Sequence, residues 1–228
     1  GEARPRFRGA IHLGASVVAG SAILILLLPA TSDCTVWPLI AFLCGKLSSY
    51  SASAFYHTSR ATSSCEKRQR AALAWDMLCV SVSVFSTGIP FVGIAIEAYY
   101  GVGLTLMLLV ALTVAAGTLA LKNIVIFSQI VFTAVFVGAA TGCSGMWAMS
   151  TTLTFVSLLC YLPVMIRNGH GAARKEPVVS WVPWHERGVY GAWEDFHAAN
   201  VAADVFYFTT AAIYVSDLDC EDPGTVGA

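Results

Sequence analysis

Apolar residues run along this chain in seven long blocks, separated by polar or helix-breaking residues. The blocks are approximately Gly9–Pro29, Val36–His57, Ala71–Gly93, Gly101–Leu121, Ile124–Thr141, Met146–Ile166 and Ala192–Val215. Each is close to the ~20 apolar residues that cross a hydrocarbon core as a helix. Open strands leave backbone groups unsatisfied in lipid, so helices are the expected elements. Pro29 through Asp33 ends the first block, and Arg60 through Arg70 separates the second from the third. Lys122 and Asn123 are expected to form a tight turn between the fourth and fifth, and Gly142 through Gly145 separates the fifth from the sixth. Asn168 to Gly191 is the longest polar stretch, and there is no internal repeat. The expected fold is all-α: one seven-helix transmembrane bundle spanning residues 1–228.

Composition agrees with that pattern. Hydrophobic residues make up 57% of the chain and charged ones 12%, about half the charged fraction of a soluble domain. Seven helices leave no room for a separate soluble domain. The distribution of charge is more informative than its sum of −1. Arg4, Arg6 and Arg8 precede the first block; Arg60, Lys67, Arg68 and Arg70 follow the second; Lys122 follows the fourth; Arg167, Arg174, Lys175 and Arg187 follow the sixth. With seven spans, all of these fall on one side. Asp33, Glu97 and the acidic tail Asp217, Asp219, Glu221 and Asp222 fall on the other. Basic residues mark the inside face, so the N-terminus is expected inside and the C-terminus outside. Nothing suggests nucleic acid as a partner. The first residue is Gly1 rather than Met, which fits removal of a targeting segment and an organelle inner membrane, mitochondrial or plastid. Among the seven cysteines, Cys34 and Cys220 fall on the same side, where a bridge would depend on their separation.

Ionisable residues within spans point to function by default. His57 closes the second span, Asp76 opens the third, and His197 lies near the start of the seventh. The topology puts all three in one leaflet. Ser53 shares a helix face with His57. Histidine is a common zinc ligand and aspartate a water-orienting base; the plainer alternative is that each caps a helix end near the interface. Lys46 lies within the second span, too deep to snorkel easily to an interface.

These motifs resemble the haemolysin III and progestin-and-adipoQ-receptor family, part of a wider group that includes alkaline ceramidases. Arg8-Gly9-Ala10-Ile11-His12 resembles the family's opening of the first helix, and Ser53-Ala54-Phe55-Tyr56-His57 its Ser-x-x-x-His at the end of the second. Asp76 and Thr87-Gly88-Ile89-Pro90-Phe91 resemble the third helix. Trp193-Glu194-Asp195-Phe196-His197 stands where the family usually carries His-x-x-x-His. The resemblance implies a zinc ion held by three histidines, with His57 and His197 as ligands, Asp76 orienting water and Ser53 supporting the site. The implied chemistry is hydrolysis of a lipid amide such as a ceramide. Trp193 occupies the third ligand position, and indole does not bind zinc. Glu194 lies about 100° from the ligand face; His185, in the loop, is the other candidate for the third ligand, whereas His170 is expected to be solvated and His12 to pack or hydrogen-bond. Stoichiometric zinc is therefore not expected. Helices two and seven face each other in the resembling family. Lys46 shares the face of His57 and lies about 16 Å deeper, and Asp204 shares that of His197. The resemblance thus implies a buried Lys46–Asp204 ion pair.

Three functions follow in order. The first is a catalytically inactive descendant serving as an accessory or scaffold subunit of a larger membrane complex, respiratory or photosynthetic in type. Its docking surfaces would be the loop with Pro177, Trp181, Pro183 and Trp184, and the tail Asp217 to Ala228, whose composition rarely orders alone. The second is a metal-dependent lipid amidohydrolase with an altered ligand set. The third is a receptor; no ring of charges suggests a pore.

Overall fold

The computed structural model describes residues 7–27, 36–62, 66–92, 96–117, 119–142, 144–169 and 192–216. They form seven α-helices: α1 (Phe7–Leu27), α2 (Val36–Thr62), α3 (Glu66–Gly88), α4 (Ile96–Ala115), α5 (Leu119–Ala140), α6 (Gly145–Gly169) and α7 (Ala192–Ser216). Five contain stretches long and apolar enough to cross a membrane: α1, α3, α4, α5 and α7. α2 is the longest helix at 27 residues, about 40 Å. From Lys46 onward it is rich in Ser, with Tyr50 and His57 among them.

Several boundaries differ from the sequence expectation: α2 runs past His57 to Thr62, α3 begins at Glu66 rather than Ala71, and the turn after α4 is displaced. Lys122 and Asn123 do not form the turn between the fourth and fifth helices; both lie within α5. The chain turns instead at Ala116 and Gly117, where Gly117 takes φ +69° and its N–H bonds Val114 O at 3.1 Å. Glycine adopts that left-handed conformation without a Cβ clash and closes a helix. Lysine is a good helix former, so its polarity alone does not break the helix. Pro90 ends α3 through a 3-10 turn, Ile89–Phe91.

α2 is sandwiched between α1 and α3, which pack along much of its length. α3 continues the wall through α4 and α5, while α6 packs on α7 and α7 on α1. α2 and α7 approach closely over only a short stretch. α2 and α3 come together at Gly45, where a Cβ would stand 1.9 Å from Ser86 Oγ. Small residues at such crossings let membrane helices approach closely.

The interior divides by polarity. Toward one end, Leu39, Phe42 and Leu43 of α2 meet Phe91, Val137, and Tyr207, Ala211 and Val215 of α7 in the main apolar core. Toward the other end, α2, α3 and α7 turn polar residues inward: Lys46, Ser53, Asp76, Thr87 and His197 are all buried. The outward faces of α1 and α4 are aliphatic, with Val18, Leu24, Leu108 and Leu112 more than half exposed. That distribution suits helices facing lipid tails.

Candidate metal centre and buried ion pair

α1, α2 and α7 each bring one histidine to a common point. His12 and His197 are buried and His57 half-buried, and one ligating atom of each lies within 4.8 Å of the others. His12 Nε2 and His197 Nδ1 stand 2.9 Å apart, within hydrogen-bonding distance. The His12 and His57 rings stack with centroids 5.7 Å apart, and the His197 ring meets both nearly edge-on, at 4.3 Å and 5.2 Å. The backbone carbonyl of His12 accepts a hydrogen bond from Ser16 Oγ at 2.8 Å.

One turn from His57 along α2, Ser53 Oγ donates to Asp76 Oδ1 at 2.5 Å, and both residues are buried. This bond fixes the α3 carboxylate against α2, about 6 Å along the helix from the level of His57. The four site residues named from sequence, Ser53, His57, Asp76 and His197, therefore occupy one region.

Deeper in the bundle is a second polar tier. Lys46 Nζ lies 2.6 Å from Asp204 Oδ1. It also donates to Thr87 Oγ1 at 2.8 Å and sits 5.1 Å from the centre of the Phe42 ring. Tyr50 OH donates to the other carboxylate oxygen, Asp204 Oδ2, at 2.5 Å. Thr87 in turn donates to Ser83 O at 2.9 Å. The tier joins α2, α3 and α7, the same helices that carry Ser53 and His57, Asp76, and His197.

The donor set fits a divalent transition metal. Three neutral imidazoles are the protein ligands of one type of catalytic zinc site, with a fourth position open. In a tetrahedral site the ligating nitrogens stand ~3.3 Å apart, as follows from zinc–nitrogen distances of ~2.0–2.1 Å. The close His12–His197 pair and the 4.8 Å limit bracket that value, so small ring movements would bring the three nitrogens into place.

His12 is the donor that sequence reasoning left out. The missed signal was depth: His12, His57 and His197 each stand about 8 Å from the same end of the bundle. Because His12 supplies a third imidazole, Trp193 no longer leaves the donor set short. Trp193 lies in the first turn of α7, and its side chain is outside the described residues. Glu194 is fully buried; measured from His197 rather than Trp193 it is only about 60° away around the helix, which turns it inward. Tyr50 was also missed, although it is one turn from Lys46 and two from His57. His170, His185, Cys34, Cys220, the loop tryptophans Trp181 and Trp184, and the tail after Ser216 lie outside the described residues.

The family profile of haemolysin-III related proteins matches residues 2–218. No curated protein and no solved structure matches the chain. With seven helices, aliphatic outer faces and a match across nearly its whole length, the chain belongs to the haemolysin-III related family of multi-pass, seven-helix integral membrane proteins.

Proposed function

We propose that the protein is a metal-dependent hydrolase acting on the amide linkage of a membrane lipid of the ceramide class. The observation that supports this reading is the convergence of His12, His57 and His197 from three helices. Zinc suits three imidazole donors with one open position. When bound, it would supply Lewis acidity toward a carbonyl and a nucleophile at neutral pH.

The chain's own residues account for the remaining requirements. Asp76, oriented by Ser53, accepts the proton of the attacking water as general base. Ser53 keeps the carboxylate on the side of α3 that faces α2. The depth of the site selects the substrate. At about 8 Å from the helix ends, the histidines lie near the boundary between headgroups and hydrocarbon. The polar linkage of a lipid sits at that level, leaving its tails against the aliphatic faces of the bundle. The basic residues assign this end to the inside leaflet.

The scaffold-subunit reading drew on Trp193 at a ligand position and on the polar loop and tail. His12 restores the number of donors, and the loop and tail lie outside the described residues. Purification in mild detergent followed by metal analysis and a ceramide hydrolysis assay separates the two readings. The hydrolase reading expects about one zinc per chain. His12→Ala should lose both metal and hydrolysis, whereas Asp76→Asn should keep the metal and lose hydrolysis. A metal-free, inactive protein that migrates with a larger assembly would refute the hydrolase and favour the subunit.

A further inference from the structure

α2 and α7 carry His57 and His197, yet their backbones approach closely over only a short stretch. The distance between those histidines is therefore set by the packing of both helices on α1 together with the side chains that bridge them directly. Among the described residues, a second bridge lies two turns below the first. Tyr50 is two turns from His57 on α2 and Asp204 two turns from His197 on α7, so each pair shares a helix face. The 2.5 Å bond from Tyr50 OH to Asp204 Oδ2 joins the helices at that level. Lys46 holds the other oxygen of Asp204 at 2.6 Å and reaches Thr87 on α3. The Tyr50 ring also lies 6.1 Å from the ring of His12.

We propose that Tyr50 is a positioning residue which, through Asp204, sets the separation of His57 and His197. Asp204 is tied to α2 twice, by Lys46 and by Tyr50; the Tyr50 attachment is the nearer to His57 and fixes the rotation that the ion pair alone leaves open. Lys46 and Thr87 orient the carboxylate so that both oxygens are engaged. The lower tier thereby acts on the histidines from about 10 Å away, and α3, which carries Asp76, is held in the same register. The consequence for metal affinity rests on the metal-centre reading; the consequence for helix spacing does not.

Tyr50→Phe removes only the hydroxyl and keeps the ring beside His12. Tyr207→Phe is the control, because Tyr207 is on α7 but its hydroxyl faces Thr151 of α6 at 3.3 Å. Two measurements are made on purified full-length protein. In the first, Co2+ is titrated and its visible d–d bands recorded. Tyr50→Phe should bind about 10–100-fold more weakly, the usual effect of losing a group that orients metal ligands, with altered bands; Tyr207→Phe should match wild type. In the second, nitroxide labels replace the exposed residues Phe55 on α2 and Ala198 on α7, attached through a non-cysteine amino acid because the chain has seven cysteines. Without metal, Tyr50→Phe should broaden the interlabel distance distribution and Tyr207→Phe should not. Failure of wild type to bind Co2+ would sink the metal reading alone, and the label distances would then decide the positioning role. Unchanged distances in Tyr50→Phe overturn it, as does wild-type Co2+ affinity with an unchanged spectrum.

Discussion

Replacing Lys46 by Met strands the carboxylate of Asp204 inside the bundle. Asp204 then keeps the Tyr50 hydroxyl but loses the ammonium at 2.6 Å. An unpaired carboxylate at mid-helix costs about 2.5–3.5 kcal/mol on insertion scales, and breaking one partner of a buried pair typically costs about 3–5 kcal/mol. The Asp204 side chain is 20% exposed against 7% for Lys46, so the lower part of that range applies, about 3 kcal/mol. Asp204→Leu strands the more deeply buried Lys46, which keeps only Thr87 and the Phe42 ring, and should cost at least as much. The double substitution leaves no buried charge in the tier. It loses the Tyr50 and Thr87 bonds to the pair, a cost of about 1–2 kcal/mol at the ~0.6 kcal/mol or more typical of interhelical hydrogen bonds. The double variant should therefore be more stable than either single one, with an interaction energy of about 4 kcal/mol from these figures. Equilibrium unfolding in bicelles across the four-protein cycle measures it. Additive single losses would refute the coupling and the reasoning from stranded charge.

Two further outcomes test the packing and the topology. Gly45→Ala places a Cβ 1.9 Å from Ser86 Oγ and 2.4 Å from Ser86 Cβ and should cost about 1–3 kcal/mol through overpacking. Gly14→Ala meets nothing within 4 Å and should be neutral or gain up to about 1 kcal/mol; thermal denaturation of both variants checks the contrast. Impermeant labels directed to Arg68 and Ser216, both exposed at helix ends, should report opposite sides of the membrane, and same-side labelling would refute the expected orientation.

Most helices were legible because their spans are apolar along the whole length, so hydropathy alone marks α1, α4 and α5, while α2 carries Lys46 and several serines within its span. Depth was legible too: His57, Asp76 and His197 could be assigned to one level by counting turns and alternating direction. Lateral placement was not. Whether α1 lies beside α7 or on the far side of α2 depends on packing among helices that all look alike to lipid, and His12 joins the donor cluster only because α1 contacts both. The turn after α4 escaped notice for a different reason. Gly117 reverses the chain by its backbone conformation, within residues that hydropathy reads as continuous, while the polar Lys122 and Asn123 draw attention but are compatible with a helix.

The buried ion pair also bears on how the protein is made. Tyr50 and Asp204 are 154 residues apart, and Lys46 is farther still from its counter-ion. At ~5–20 residues per second, the ribosome needs about 8–30 s after Tyr50 to produce Asp204. Through that interval α2 carries a lysine without its carboxylate and is not among the helices apolar enough to enter a bilayer by composition. Until α7 arrives, α1 and α3, which pack along α2, are the neighbours that can shelter it. α7 is thus the helix that lets α2 settle, so the two complete their insertion together although most of the bundle separates them in sequence.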